Sequence, residues 1–256
     1  MSLCFFALGP LQCNCYGLAI VAGLLAFIVT MLQNPRATTI ITKNQLLDLV
    51  AAATLVGIIG GRFLYIVLHP QEFKTLYDLV AVWEGGLSVL GGFIAIVLVM
   101  PWYLHLHKIP VIPMADLAAV HVPLLHSIAR LGCLAVGCCA GTVTAVRWAI
   151  TYTDPHSLAP LGLPLHPTQL YSSMSLFLIY LIMRYYLQER FQRPGQLAGC
   201  YAIFAGVERG INEWFRDEFA PLPALTISIQ QCIALSLIII GIGILFWATI
   251  RPPQQS

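Results

Sequence analysis

Three arginines sit in runs otherwise apolar enough for a lipid interior. Arg130 lies in "HSIARLGCLAVGCCAG", residues 126–141, with glycines at 132, 137 and 141 and cysteines at 133, 138 and 139. Arg209 heads "RGINEWFR", where Arg209 and Glu213 are i,i+4 neighbours and Arg216 lies three residues further. On a helix, that face presents cation, anion, cation. Arg62 follows Gly60-Gly61 in the middle of another apolar run. A guanidinium fork matches phosphate oxygens bidentately, as an ammonium does not. An anion site with a carboxylate nearby is therefore one reading. The alternatives are a salt-bridge ladder along 209–216, and snorkelling or a structural pair for Arg62 and Arg130.

A third polar element is "LPLHPTQLYSS", residues 163–173. Pro164 and Pro167 fix the start of a helix that Thr168 can cap. His166, Gln169 and Tyr171 then stand at its water-facing end. An interfacial aromatic belt accounts for Tyr171 alone, but not for His166 beside a proline. Together the elements suggest an outward-opening intramembrane pocket whose natural ligand is a phospholipid headgroup. A transporter is the competing class, but paired broken-helix halves are not visible.

The elements that must position these groups follow from composition. Of 256 residues, 59% are hydrophobic and 9% charged, against roughly 25% charged in a water-soluble domain. Mean hydropathy is +0.82, so the class is all-α and polytopic. A net charge of +2 gives no reason to expect a nucleic-acid partner. Nothing before Arg36 is charged, so the basic start of a cleavable signal is not expected.

Seven stretches approach the ~20 residues that cross a bilayer: 13–32, 46–68, 87–106, 115–136, 168–187, 197–213 and 226–249. The sixth is short and charged enough to be partly re-entrant. Seven basic residues (Arg36, Lys43, Lys108, Arg184, Arg190, Arg193, Arg251) flank one side and three (Lys74, Arg147, Arg216) the other. That asymmetry predicts an external N-terminus and a cytoplasmic C-terminus. Segment 69–86 suits a short interfacial helix with Tyr77 and Trp83 at headgroup level, and 142–167 is a proline-broken loop. One transmembrane domain, 1–256, is expected.

The landmarks "YGL" at Tyr16, "GGRFLY" at Gly60, "WEGGLSVLGG" at Trp83, "ARLGCLAVGCCAG" at Ala129, "HPTQLY" at His166 and "RGINEWFR" at Arg209 stand in a familiar order. The chain resembles the prolipoprotein diacylglyceryl transferase family along nearly its whole length. The resemblance implies a bacterial inner-membrane enzyme with its active site toward the periplasm and no cofactor or metal. It would move the diacylglyceryl group of phosphatidylglycerol onto the lipobox cysteine thiol of a prolipoprotein, releasing glycerol phosphate. It implies catalytic roles for Arg130, Arg209 and Glu213. Tyr16, Arg62, Gly141, His166, Gln169, Tyr171 and Arg216 would join Arg130 in binding substrate.

The chain also departs from the family pattern. Leu90 replaces a histidine, Cys133 an asparagine, Cys138 a glutamate, and Asn14 a histidine before the first-span tyrosine. A divergent transferase using another base is one explanation, the candidates being Glu213, His166, or a Cys138 or Cys139 thiolate favoured by Arg130. The other is a paralogue that binds or transports an anionic lipid. For the cysteines, packing, an external disulfide, and a metal site borrowing Cys13 and Cys15 are the alternatives. Cys4, Cys200 and Cys232 read as small apolar side chains.

Overall fold

The computed structural model describes residues 6–8, 11–13, 15–73, 75–82, 85–216 and 228–250. Helices α1 (Cys15–Leu32), α2 (Pro35–Ile40), α3 (Lys43–Leu68), α4 (Leu76–Val80), α5 (Val89–Leu106) and α6 (Val111–Val136) come first. Next is α7 (Thr168–Leu181), which passes through a π turn (Ile182–Leu187) into α8 (Gln188–Arg190). The last two are α9 (Gln196–Glu213) and α10 (Ile229–Ile250). Short strands β1 (Phe6–Leu8), β2 (Leu11–Cys13), β3 (Ile150–Thr151) and β4 (Pro164–Leu165) complete the elements.

Among the described residues, α1, α3, α5, α6, the continuous Thr168–Arg190 segment and α10 are long and apolar enough to cross a membrane. Their ends fall close to the sequence reading. α6 starts at Val111 rather than 115, because Pro113 sits in the first turn, where a missing N–H leaves no helical bond unmade. α9 is a continuous 18-residue helix with Glu208, Arg209 and Glu213 near its end, and unlike the other six stretches it is not among the helices that are long and apolar enough to cross. Large apolar side chains point outward, for example Leu18, Val21, Leu25 and Val29 along one face of α1. That stripe would be anomalous in water and is ordinary against lipid.

The chain divides into two compact units. In the unit formed by 9–12 and 32–114, α3 and α5 approach through glycines. A Cβ on Gly60 would lie 2.8 Å from the Gly91 carbonyl oxygen, and one on Gly92 would lie 2.8 Å from that of Gly57. Small residues let helix backbones meet where no water drives association. Thr42 and Gln45 form a capping box that starts α3, with Thr42 N–H donating to Gln45 Oε1 at 3.0 Å. Segment 69–86 holds α4 and an exposed Tyr77, as expected, while Trp83 lies outside the described residues.

In the other unit (1–8, 13–31 and 115–256), Ala119, Val120, Leu176, Ile179, Met183, Leu197 and Cys200 form a core among α6, α7 and α9. Cys200 thus packs as a small apolar group. α10 seats on α9 through Gly206, where a Cβ would come 2.6 Å from the Ala234 carbonyl oxygen. α1 meets α6 at Gly23 and Gly132, the latter leaving room for Tyr16. Loop 142–167 was expected only as proline-broken coil. It contains an antiparallel pairing of β3 with β4, Ile150 opposite Leu165.

Candidate active site

Four helix ends supply the charged site: the start of α1 with Tyr16, the end of α6 with Arg130, the start of α7 with Gln169, and the end of α9. Arg130, Glu208, Arg209, Asn212, Glu213 and Arg216 line one narrow cleft. Three cations and two anions share it. Arg130 Nε is buried and has no hydrogen-bond partner among the described residues, and the same holds for Gln169 Oε1 and Asn212 Oδ1. Buried polar atoms are nearly always paired, so the two of these that line the cleft, on Arg130 and Asn212, mark a place built for a ligand.

No ion pair joins Arg209 to Glu213 among the described residues, so the first rung of the salt-bridge ladder considered for 209–216 is not found. Among the described residues, neither Arg130 nor Arg209 forms an ion pair with a carboxylate. Arg209 Nη2 donates instead to Gln230 Oε1 on α10. Glu213 Oε1 accepts from Ser228 Oγ at 3.3 Å. Glu208, not singled out in the sequence, is 8% exposed and accepts from Ser172 Oγ. Its only sequence signal is an acid immediately before Arg209 in an apolar run.

A backbone clamp fixes these helix ends. Gly141 N–H donates to the His166 carbonyl at 3.0 Å, His166 N–H to Thr142 O at 3.0 Å, and Thr142 N–H to Phe215 O at 2.9 Å. Gly141 also pairs with Arg216 in an antiparallel bridge. A Cβ on Gly141 would strike the Phe215 carbonyl and come 2.7 Å from His166 Cβ and 2.8 Å from Thr168 Cγ2. Its placement therefore replaces the expectation of direct substrate binding: Gly141 lets three backbones meet.

The start of α7 holds the turn after α6. Thr168 Oγ1 donates to the Cys139 carbonyl and Gln169 Nε2 to the Cys138 carbonyl, each at 2.7 Å. Thr168 is thus no helix cap; Pro167 occupies the cap position without a side-chain bond. The turn needs this support because Gly137 and Cys139 adopt positive φ, 82° and 60°. His166 and Tyr171 do come together, His166 Nδ1 lying 3.2 Å from Tyr171 Oη, which also accepts from Trp148 Nε1 at 2.7 Å. Phe215 packs edge-on against both rings.

Two expectations are corrected. Arg62 is not available to a substrate. Its guanidinium is buried and donates to the carbonyls of Asp78, Leu79 (3.2 Å), Ala81 (3.3 Å), Gly85 (2.5 Å) and Gly86 (3.0 Å). It also lies 5.0 Å from the Phe73 ring centroid. Every donor is spent tying residues 78–81 and 85–86 to α3. Nor is Cys138 a thiolate. Hydrogen bonding with Cys133 and Cys139, together with burial, pushes its thiol well above the ordinary value. Cys133 and Cys138 are free thiols, and Cys138 Sγ points to the Cys133 carbonyl at 3.8 Å. The side chain of Cys13 and all of Cys4 and Asn14 lie outside the described residues.

A family model described as prolipoprotein diacylglyceryl transferase matches residues 3–247. The chain belongs to that family. It is 32% identical to the phosphatidylglycerol--prolipoprotein diacylglyceryl transferase of Photobacterium profundum, across 97% of this chain and 94% of the relative. It is 31% identical to that of Vibrio vulnificus, across 98% and 93%. Against the Pseudomonas fluorescens protein of the same name, it is 30% identical across 96% and 93%. The membership makes the arginine cleft the natural candidate for the family's chemistry, and Arg130 and Arg209 each fall in one of the six landmarks.

Proposed function

We propose that the chain transfers the diacylglyceryl group of phosphatidylglycerol to the lipobox cysteine of prolipoproteins, the first step of bacterial lipoprotein maturation. The observation that carries this reading is Arg130: a half-buried guanidinium with an orphaned Nε, sharing its cleft with Arg209 and Arg216. Such a group is costly within a membrane protein unless it meets an anion.

The lipid phosphate seats against Arg130, with Arg209 and Arg216 adding positive field. The thiolate attacks the glyceryl carbon, a C–S bond forms, and the C–O bond to phosphate breaks. Charge grows on the departing glycerol phosphate, where preorganised donors contribute most. The orphaned Gln169 Oε1 is an acceptor suited to a headgroup hydroxyl, and its orientation is set by the bond from Nε2 to Cys138 O. Tyr16 closes the α1 side of the site. His166 and Tyr171, joined to the exposed Trp148, form an amphipathic rim for the lipobox segment. Glu213 anchors the end of α9 within the cleft through Ser228.

With α9 counted as a span there are seven, and the four helix ends that make the site lie on one side of the membrane. The distribution of basic residues makes that the periplasmic side of the inner membrane, with the N-terminus external and the C-terminus cytoplasmic. We read the two compact units as one transferase domain, 1–256, because the family match runs through both.

Complementation tests the reading. In cells depleted of their own transferase, the chain should restore lipidated, processed lipoproteins. Unmodified precursor despite correct insertion would leave a lipid-binding paralogue.

A further inference from the structure

The proposed transfer needs a proton acceptor for the lipobox thiol, and the residues first considered do not provide one cleanly. Leu90 carries no accepting atom. Cys138 holds its own proton. His166 Nδ1 is engaged with Tyr171. Glu213 ends α9, is 4% exposed and is held by Ser228, itself 1% exposed. Glu208 lines the same cleft and likewise accepts from one serine, and it is set apart by the charges it meets. It lies five residues earlier on α9 and experiences the charges of both Arg130 and Arg209. Ser172 Oγ donates to one carboxylate oxygen, Oε1, and the described residues supply no hydrogen bond to the other, Oε2.

A carboxylate buried to this degree is costly unless something uses it or neutralises it. Ser172 supplies one hydrogen bond and fixes the carboxylate's direction. The arginines supply charge without closing an ion pair on it. The result is a fixed carboxylate beside the group that holds the phosphate, with a face left for a hydrogen donor.

Building on the transferase reading above, we propose that Glu208, positioned by Ser172, accepts the proton of the lipobox thiol. The S–H proton passes to Glu208 Oε2 as the sulfur forms its bond to the glyceryl carbon. The C–O electron pair leaves on the phosphate oxygen, giving glycerol phosphate. Glu208 then returns the proton to solvent or to the departing phosphate, and no other reactant is consumed. Glu208 is thus a catalytic residue, Ser172 a positioning residue, and Arg130 the electrostatic partner of the leaving group.

The test uses the full chain in detergent, phosphatidylglycerol labelled in its diacylglyceryl group, and two lipobox peptides differing only in cysteine or selenocysteine. A selenol is more acidic than a thiol and reaches the site already ionised. Glu208→Gln keeps the size and the oxygen that faces Ser172. It should lose about 100-fold or more with the cysteine peptide, the usual range for a removed general base, and stay within a few-fold of wild type with selenocysteine. Arg130→Gln should be impaired with both peptides. Ser172→Ala should follow Glu208→Gln in milder form, with rescue by the same peptide. Equal impairment of Glu208→Gln on both peptides, or no impairment on either, would overturn the assignment. Selective rescue of Glu213→Gln instead would move the role to that residue and overturn it too. Failure of the inserted, folded wild type on both peptides would refute the transferase reading itself, which separates the two ideas.

Discussion

Asp116 and Gly195, 79 residues apart, are joined by a 2.6 Å hydrogen bond from the Gly195 backbone N–H to Asp116 Oδ2. Asp116 Oδ1 accepts from Ala198 N–H at 2.7 Å. One carboxylate on α6 therefore caps the start of α9, whose cap residue Gly195 has no side chain for the task and sits at φ 98°. Favourable alignment with the helix dipole adds to the two bonds.

Asp116→Ala should strip both bonds and leave one buried and one part-buried donor unmet. Hydrogen bonds to charged groups contribute about 1.5–3 kcal/mol each, so a fall of about 3 kcal/mol or more in unfolding free energy is expected. Thermal unfolding of the detergent-solubilised protein measures it. Asp116→Asn retains one acceptor and should fall between alanine and wild type.

Arg62→Lys should loosen segment 73–86 without changing net charge. An ammonium has three donors in place of the guanidinium's five, so carbonyls among Asp78, Leu79, Ala81, Gly85 and Gly86 go unmet. Faster hydrogen exchange confined to this segment is the expected result. Unchanged exchange there would show that the five bonds do not hold it.

Arg130→Lys should impair transfer severely, and Arg130→Gln at least as much, with insertion intact in both. Losing one preorganised donor of this kind costs about 2.7–4 kcal/mol, roughly 100- to 1000-fold in rate. Arg36→Gln, at the first turn of α2, should change little. Labelled diacylglyceryl transfer to a lipobox peptide reads all three, and near-normal transfer by Arg130→Gln would make this arginine structural.

Cys133→Ser and Cys138→Ser should each keep substantial activity, since neither thiol is called on as a base. Cys138 should also resist alkylation at pH 8, where an ordinary thiol, at 9.0, is already partly ionised. The folded thiol keeps its proton as the unfolded one loses it. Its contribution to stability is thus present below pH 9 and lost as pH rises above that value. Rapid labelling of Cys138 at pH 8 in folded protein would contradict the assignment.

The spans were legible because length and apolarity are set residue by residue along the chain, and lipid imposes no other code. The proximity of Arg130 to the 209–216 segment was legible in outline, since charges in an apolar chain have few places to go. The fate of Arg62 was not: its partners are backbone carbonyls, which every residue carries and no sequence pattern marks. Glu208 was passed over because its partner, Ser172, lies on another helix 36 residues away. Gly141 looked like a ligand contact because its actual neighbours, the carbonyl of Phe215 and the side chains of His166 and Thr168, become neighbours only in three dimensions.

Gly141 carries one more consequence. Helices in a bilayer tilt when its thickness changes, and groups held only by helix packing shift with them. The ends of α6, α7 and α9 are instead laced together through the main chain at 141–142, 166 and 215–216. A thinner or thicker membrane is then accommodated at the opposite ends of these helices, and the spacing among Arg130, Arg209 and Arg216 stays constant. On the transferase reading proposed above, the site's geometry would be decoupled from lipid chain length, and the same site would work on donors and in membranes whose acyl chains vary with growth conditions.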